Sequence, residues 1–232
     1  MNVFDCITSR RSVRSFEKKP VDDKLIGVML YMATHAPSAG NTQDWHFIVV
    51  KDEVQRKKLA EASLNQNFIA KAPVIFVVCI DLEKASLRYG ERGECMYSSQ
   101  HSGAVTMILT LTAKALGLDS CWVGAFDEEK VSHVLELPNS LRPIVILPVG
   151  YGAEKPEKPR RIAFENVTSV DKFGKKFRLS AIQPGAKLGE DLMEPLSVYL
   201  EDAFDKIKKA EVPKKEGKIT FQEFLRKLTR QR

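Results

Sequence analysis

In Arg10-Arg11-Ser12-Val13-Arg14-Ser15-Phe16, three guanidiniums and the Ser12 hydroxyl fall within five residues. A guanidinium offers a planar fork of donors that matches phosphate oxygens two at a time, and serine adds a short, directional donor. Such a run can grip the phosphate of a small cofactor, or it can be solvated surface. The choice depends on what accompanies it along the chain.

Upstream, Val3, Phe4 and Ile7 share one helical face, so a short helix leads into the arginines. Downstream, Asp22 or Asp23 can cap a helix carrying Leu25, Ile26, Met29 and Leu30. Residues 37–41, Pro-Ser-Ala-Gly-Asn, read as a loop, 45–50 as a strand and 53–62 as a charged helix. Pro73 precedes an apolar run over 74–80 of strand length. A long helix is expected over 94–116, apolar on more than one face and therefore central, with Gly117 as its left-handed cap. A short strand is expected over 120–123 and a short helix capped by Asp127 and ended by Pro138. A second buried strand follows over 144–149. Strands alternating with helices indicate a layered α/β-type domain.

Beyond residue 173 the composition changes. Gln183-Pro184-Gly185 reads as a turn, 191–209 as a helix, 211–218 as a charged linker, and Thr220 with Glu223 as a capping box. Of the net charge of +6, residues 1–171 contribute nothing, with 21 basic and 21 acidic side chains, so the whole excess lies in 172–232. The expected organisation is a balanced body, 1–173, and a basic, mostly helical extension, 174–232. The lysines of the extension, among them Lys206, Lys208, Lys209, Lys214, Lys215 and Lys218, could attract nucleic acid or an acidic partner. Acidic residues interleave with them and no stacking aromatics accompany them, which argues for a solvated helix face.

No apolar stretch approaches the roughly 20 residues that span a bilayer, and the first residues lack the pattern of a signal peptide. A cytoplasmic protein is expected. Cys6, Cys79, Cys95 and Cys121 form no C-x-x-C pair, and the four histidines have no metal-ligand spacing. Cys79 reads as a small buried hydrophobe.

Five motifs stand in one order: Arg10-Arg11-Ser12-x-Arg14-x-Phe16; Ala36-Pro37-Ser38-Ala39-Gly40-Asn41-Thr42-Gln43-x-Trp45; Gly117-Leu118-x-Ser120-Cys121-Trp122-Val123-Gly124; Pro148-Val149-Gly150-Tyr151; and Lys158-Pro159-Arg160-Arg161. Together, over about residues 3–170, they resemble the nitroreductase family of FMN-dependent oxidoreductases. The resemblance implies an α+β fold, a three-layer α/β/α sandwich around a mixed, mostly antiparallel sheet, in a homodimer with shared flavin sites. It implies NADH or NADPH as electron donor and a small-molecule acceptor such as a nitroaromatic, a quinone or another flavin. It places Arg10, Arg11, Ser12 and Arg161 at the FMN phosphate, with Arg160 beside them, and Arg14 near the pyrimidine edge of the ring. It places Gln66, or its neighbour Asn65, at the uracil-like edge, and the backbone of Val123 and Gly124 over the flavin. Trp122 can lie in the core instead. Pro37, Ser38, Ala39 and Asn41 resemble the segment that one subunit lends to its partner's flavin. No side-chain acid, base or nucleophile is implied, because the flavin carries the chemistry.

Two departures are visible. The family often has Gln-Pro-Trp where this chain has Gln43-Asp44-Trp45, and proline where Ala163 follows. Relatives that fragment flavin or dehalogenate reductively need a specialised lid, which nothing in 173–232 identifies. A non-enzymatic binding protein is the remaining alternative.

Overall fold

The computed structural model describes residues 3–176. The turn, the helix and the capping box read in the tail all lie outside them. The chain divides into two compact units, Met1–Arg160 and Arg161–Arg232.

The first unit is built on strand β2 (Val74–Asp81), in which every residue but the last is buried. β1 (Trp45–Val50) pairs with it on one side, from Trp45 opposite Ile80 to Val50 opposite Ile75. β4 (Leu141–Gly150) pairs on the other, from Val74 opposite Val149 to Asp81 opposite Leu141. β3 (Asp119–Ser120) closes the order β1-β2-β4-β3, and all three pairings are antiparallel. An isolated parallel bridge from Ser12 to Ser120 makes the sheet mixed. The register slips between Val78 and Cys79, where Pro143 stands opposite Cys79. Proline cannot donate to the ladder, and a bulge is where a strand tolerates it.

Strand side chains alternate between faces. Val74, Phe76 and Val78 of β2 and Val145, Leu147 and Val149 of β4 pack with Ile26, Met29 and Ala33 of α2 (Asp23–Ala33) and Val105, Leu109 and Ala113 of α6 (Ser98–Ala115). On the other face, Ile75, Val77, Cys79 and Ile146 pack with Leu59 of α3 (Glu53–Ala62), Ile69 of α4 (Phe68–Lys71) and Val131 of α7 (Glu128–Val134). Both faces of β2 are covered, which is why its sequence is continuously apolar rather than alternating. The three-layer α+β sandwich follows from this. Each fully buried aliphatic or phenyl side chain contributes about 1.5–3 kcal/mol.

Helix ends follow the caps. Asp22, Asp52 and Asp127 each accept a backbone N–H of the first turn that follows. Gly117 has φ +78, and the N–H groups of Gly117 and Leu118 return to the carbonyls of Lys114 and Ala113, closing α6 in a Schellman motif.

Three expectations need correction. The helix expected over 94–116 begins earlier. α5 (Leu82–Arg92) bends at Gly90, with φ +55, passes into a π turn (Gly93–Tyr97) and continues as α6. Only Ala85 of α5 is fully buried, and Leu82, Ala85 and Tyr89 form its one sparse inward stripe. α6 is buried along one stripe, not all round, and Met107 is exposed. In α1 (Val3–Ser9) the buried residue is Cys6, while Val3, Phe4 and Ile7 lie exposed. The strand expected over 120–123 is Asp119–Ser120, with a separate bridge between Val123 and Ile146. No helix among the described residues is long and apolar enough to cross a membrane.

Candidate functional site

The arginine segment leaves α1 and runs along the β3–β4 edge. Val13 N–H donates to Ser120 O at 3.1 Å, Glu17 N–H to Tyr151 O at 2.9 Å, and Ala153 N–H to Ser15 O at 2.9 Å. The Glu154 carboxylate accepts the N–H groups of Arg14 at 2.5 Å and Ser15 at 3.0 Å. Glycine is required at two points of this contact. A Cβ on Gly150 would stand 2.6 Å from Pro73 Cδ, and one on Gly152 would stand 2.6 Å from Asp119 Oδ2. Val13 and Phe16 are buried, whereas Ser12 is half-buried and Arg14 exposed. The Arg10-to-Phe16, Gly117-to-Gly124 and Pro148-to-Tyr151 motifs, more than 100 residues apart in sequence at their extremes, thus share one edge.

The arginines differ in availability. Arg11 Nη1 donates to Thr8 O at 2.9 Å and to Arg10 O at 2.7 Å, fastening the end of α1. Arg14 lies over the Phe68 ring, 5.9 Å from its centroid. Neither Arg10 nor Arg14 makes a side-chain hydrogen bond or ion pair among the described residues, so both guanidiniums keep their donors for an anion. Cys121 lies buried beneath them. Burial raises its thiol pKa, while Arg14, the Ser12 hydroxyl and Arg10 pull the other way. Cys79, in the sheet core, is pushed by burial alone to about 12. Neither thiol is a nucleophile at neutral pH.

Beside this edge, Val123 is buried and its N–H donates to Ile146 O at 3.0 Å. Its N–H is therefore engaged, and the exposed backbone of the pair is that of Gly124, which has open space where a Cβ would stand. Trp122, read as a core residue, is 40% exposed instead. Gln66 follows a left-handed turn at Leu64 and Asn65, with φ +57 and +58. Its amide nitrogen donates to Ala125 O at 3.1 Å, which sets Gln66 next to Gly124 and leaves its oxygen as acceptor.

Residues 37–44 are held by other elements. Ala39–Asn41 forms a 3-10 turn, and Gly40, Asn41 and Gln43 have φ of +54, +58 and +47. Ser38 Oγ accepts the Gln43 N–H at 3.0 Å. From α5, Arg88 Nη1 donates to Gly40 O at 3.2 Å and Lys84 Nζ to Gln43 O at 2.9 Å. His101 of α6 accepts the Ala39 N–H at Nε2, 2.8 Å, and its Nδ1 lies 2.8 Å from the Asp44 carboxylate. His101 and Asp44 escaped the reading of motifs. The signal was present in Asp44, which stands where the family often has proline.

Arg160 is exposed at the end of the first unit, and Arg161, also exposed, opens the second. In the second unit Phe164–Val167 forms a 3-10 turn, and Ser169 bridges Lys176.

The sandwich with its polar edge has known counterparts. The model of the nitroreductase family matches residues 7–72 and 63–151. An NADH dehydrogenase of Thermus thermophilus is 31% identical over 185 residues, spanning 68% of this chain and 90% of that one. An FMN reductase (NADPH) of Bacillus subtilis is 26% identical over 188 residues, spanning 73% of this chain and 76% of that one. The crystal structure of a nitroreductase family protein from Streptococcus pneumoniae matches with a TM-score of 0.68 at 26% identity, covering 72% of this chain and 99% of that chain. The chain belongs to the nitroreductase family.

Proposed function

We propose that the chain is an FMN-dependent oxidoreductase that takes electrons from NADH or NADPH and passes them to a small-molecule acceptor, a nitroaromatic, a quinone or another flavin. The observation that carries this reading is the shared edge: Arg10, Ser12, Arg14, Gln66 and Gly124 come together in a member of this family, with the Arg10 and Arg14 donors open.

Arg10 and Ser12 hold the FMN phosphate through charge-assisted hydrogen bonds. Arg11 fixes the loop that presents them. Arg14 sets a positive charge at the pyrimidine edge, where it favours the reduced, anionic flavin, and the Gln66 oxygen accepts from the same edge. FMN, when bound, accepts and gives hydride at N5. Donor and acceptor occupy the same face in turn, and no side chain is assigned as acid, base or nucleophile. Pro37, Ser38, Ala39 and Asn41 complete the site of a partner subunit. The exposed Val3, Ile7 and Met107 side chains support a homodimer, since exposed apolar surface favours association. Residues 1–173 carry the site.

The test is the visible spectrum of the purified protein before and after anaerobic NADH or NADPH. Flavin absorption that bleaches on addition is expected. An Arg10→Ala change should weaken FMN binding about tenfold or more, since a charge-assisted bond contributes about 1.5–3 kcal/mol. A wild-type protein that takes up no FMN would overturn the reading.

A further inference from the structure

His101 and Asp44 form a buried polar pair, 4% and 0% exposed, between α6 and the 37–44 turn. The pair's geometry assigns the proton. Ala39 N–H can only donate, so His101 Nε2 must accept. A neutral imidazole has one N–H, which therefore sits on Nδ1 and points at the two Asp44 oxygens, 2.8 and 3.0 Å away. A doubly protonated ring would set two N–H groups against each other. The ring is also fixed in its plane: Tyr97 stacks on it at 6.4 Å and 24°, Tyr89 meets Tyr97 edge-on at 5.1 Å, and Arg92 Nε donates to the Tyr97 hydroxyl at 3.1 Å.

The relay ends on the residue just before three left-handed residues, two of them with side chains. Backbone of that kind persists only where its surroundings over-determine it, and it concentrates at functional sites. Arg88 and Lys84 hold the carbonyls of Gly40 and Gln43 from outside. Among the described residues, His101 alone holds the Ala39 N–H, and it does so from the buried side.

We propose that His101, with its proton held on Nδ1 by Asp44, is a positioning residue: it fixes the 37–41 backbone in the geometry that the partner subunit's flavin requires. This rests on the reading of a homodimer with shared FMN sites. Asp44, in the place where proline is common, is then the second half of a device with His101. It replaces a ring that stiffens the backbone with a side-chain relay that holds it.

The experiment compares wild type with His101→Leu, His101→Gln and, as a core control, Val131→Ala. It measures FMN affinity, amide hydrogen exchange in the flavin-free protein and the imidazole 15N shifts. Wild type should show the Nδ1–H tautomer. His101→Leu should weaken FMN roughly tenfold, the equivalent of one lost hydrogen bond, and speed exchange at residues 39–43 while Arg14 and Ser15 stay protected. His101→Gln, whose amide has both an acceptor and a donor, should recover most of the affinity. Val131→Ala should lower the melting temperature without loosening FMN. Wild-type FMN affinity in His101→Leu, equal FMN loss in Val131→Ala, or a proton on Nε2 would each overturn the proposal. Failure of wild type itself to bind FMN would overturn the functional reading on which it rests.

Discussion

The arginine segment and the 37–44 turn are both irregular, polar and tied to the same sandwich, yet they are held in opposite ways. Residues 12–17 are fixed by their backbone. Their N–H and C=O groups pair with Ser120, Tyr151, Ala153 and Glu154, and the guanidiniums of Arg10 and Arg14 are left for a ligand. Residues 38–43 are fixed by side chains that reach in from α5 and α6 and take hold of their backbone at the Ala39 N–H and the Gly40 and Gln43 carbonyls. The first segment is held by pairing along a sheet edge, and the second by side chains of two remote helices. Substitution of a ligand-facing residue should therefore spare the shape of the first, while substitution of a distant residue should disturb the second.

Gly150→Ala attacks the backbone scaffold and should have the largest effect on stability. The new methyl meets Pro73 ring carbons at 2.6 and 2.8 Å and Phe16 at 3.1 Å. A rigid ring cannot yield cheaply, so a loss of about 1–3 kcal/mol is expected in denaturant titration, with FMN binding lost alongside it. An alanine that left both unchanged would break the comparison on its backbone side.

Gly40→Ala tests the other scaffold. The position has φ +54, and the methyl would displace the Tyr89 hydroxyl and the Arg88 guanidinium. Both are ends of flexible side chains, so the cost is mainly the left-handed strain, about 1–2 kcal/mol. Hydrogen exchange should rise at 39–43 and stay unchanged along 12–17.

Glu154→Ala removes the one side chain in the first scaffold. It should lower stability by about 1 kcal/mol, with the backbone pairing intact. The thiol of Cys121, 2% exposed beneath the loop, then reports its opening: thiol labelling of Cys121 should quicken severalfold, with Cys79 silent and exposed Cys95 unchanged. Unchanged Cys121 labelling would show that Glu154 holds nothing.

The smallest effect is expected away from both segments. Arg142 grips Glu128 at 2.8 and 2.9 Å and holds its carboxyl below the usual range. A lowered folded-state pKa stabilises above that range, and the gain disappears as pH falls through it. Both side chains are about half exposed, so Glu128→Gln should cost about 0.5 kcal/mol or less at pH 7 and nothing near pH 3. FMN affinity should not change at either pH.

The central strands were legible in the sequence because burial on both faces leaves one kind of residue, as in 74–80 and 144–149. The capped helices were legible because Asp22, Asp127 and Gly117 satisfy local backbone groups with local atoms. The motifs around Arg10, Gly124 and Gly150 could be matched one by one for the same reason. α5 was not read: Leu82, Ala85 and Tyr89 are spaced as one helical face, but only Ala85 is fully buried and charged residues fill most of the rest. The helix α1 was legible from its apolar spacing, but which of its faces is buried was not, since Cys6 is the one side chain it buries.

What the sequence by itself determined is the set of elements whose cause lies within a few residues: apolar runs, caps and turns, and from their order the family. Tertiary structure alone decided which groups meet and which are already engaged. Arg11 closes α1 and Arg14 stays open; the Val123 N–H is bound and the Gly124 backbone is exposed. Asp44 and His101, 57 residues apart, share a proton's position that neither reveals alone. Hydrogen bonding depends on distance and direction between atoms, and those are set only once the sheet has brought remote segments together.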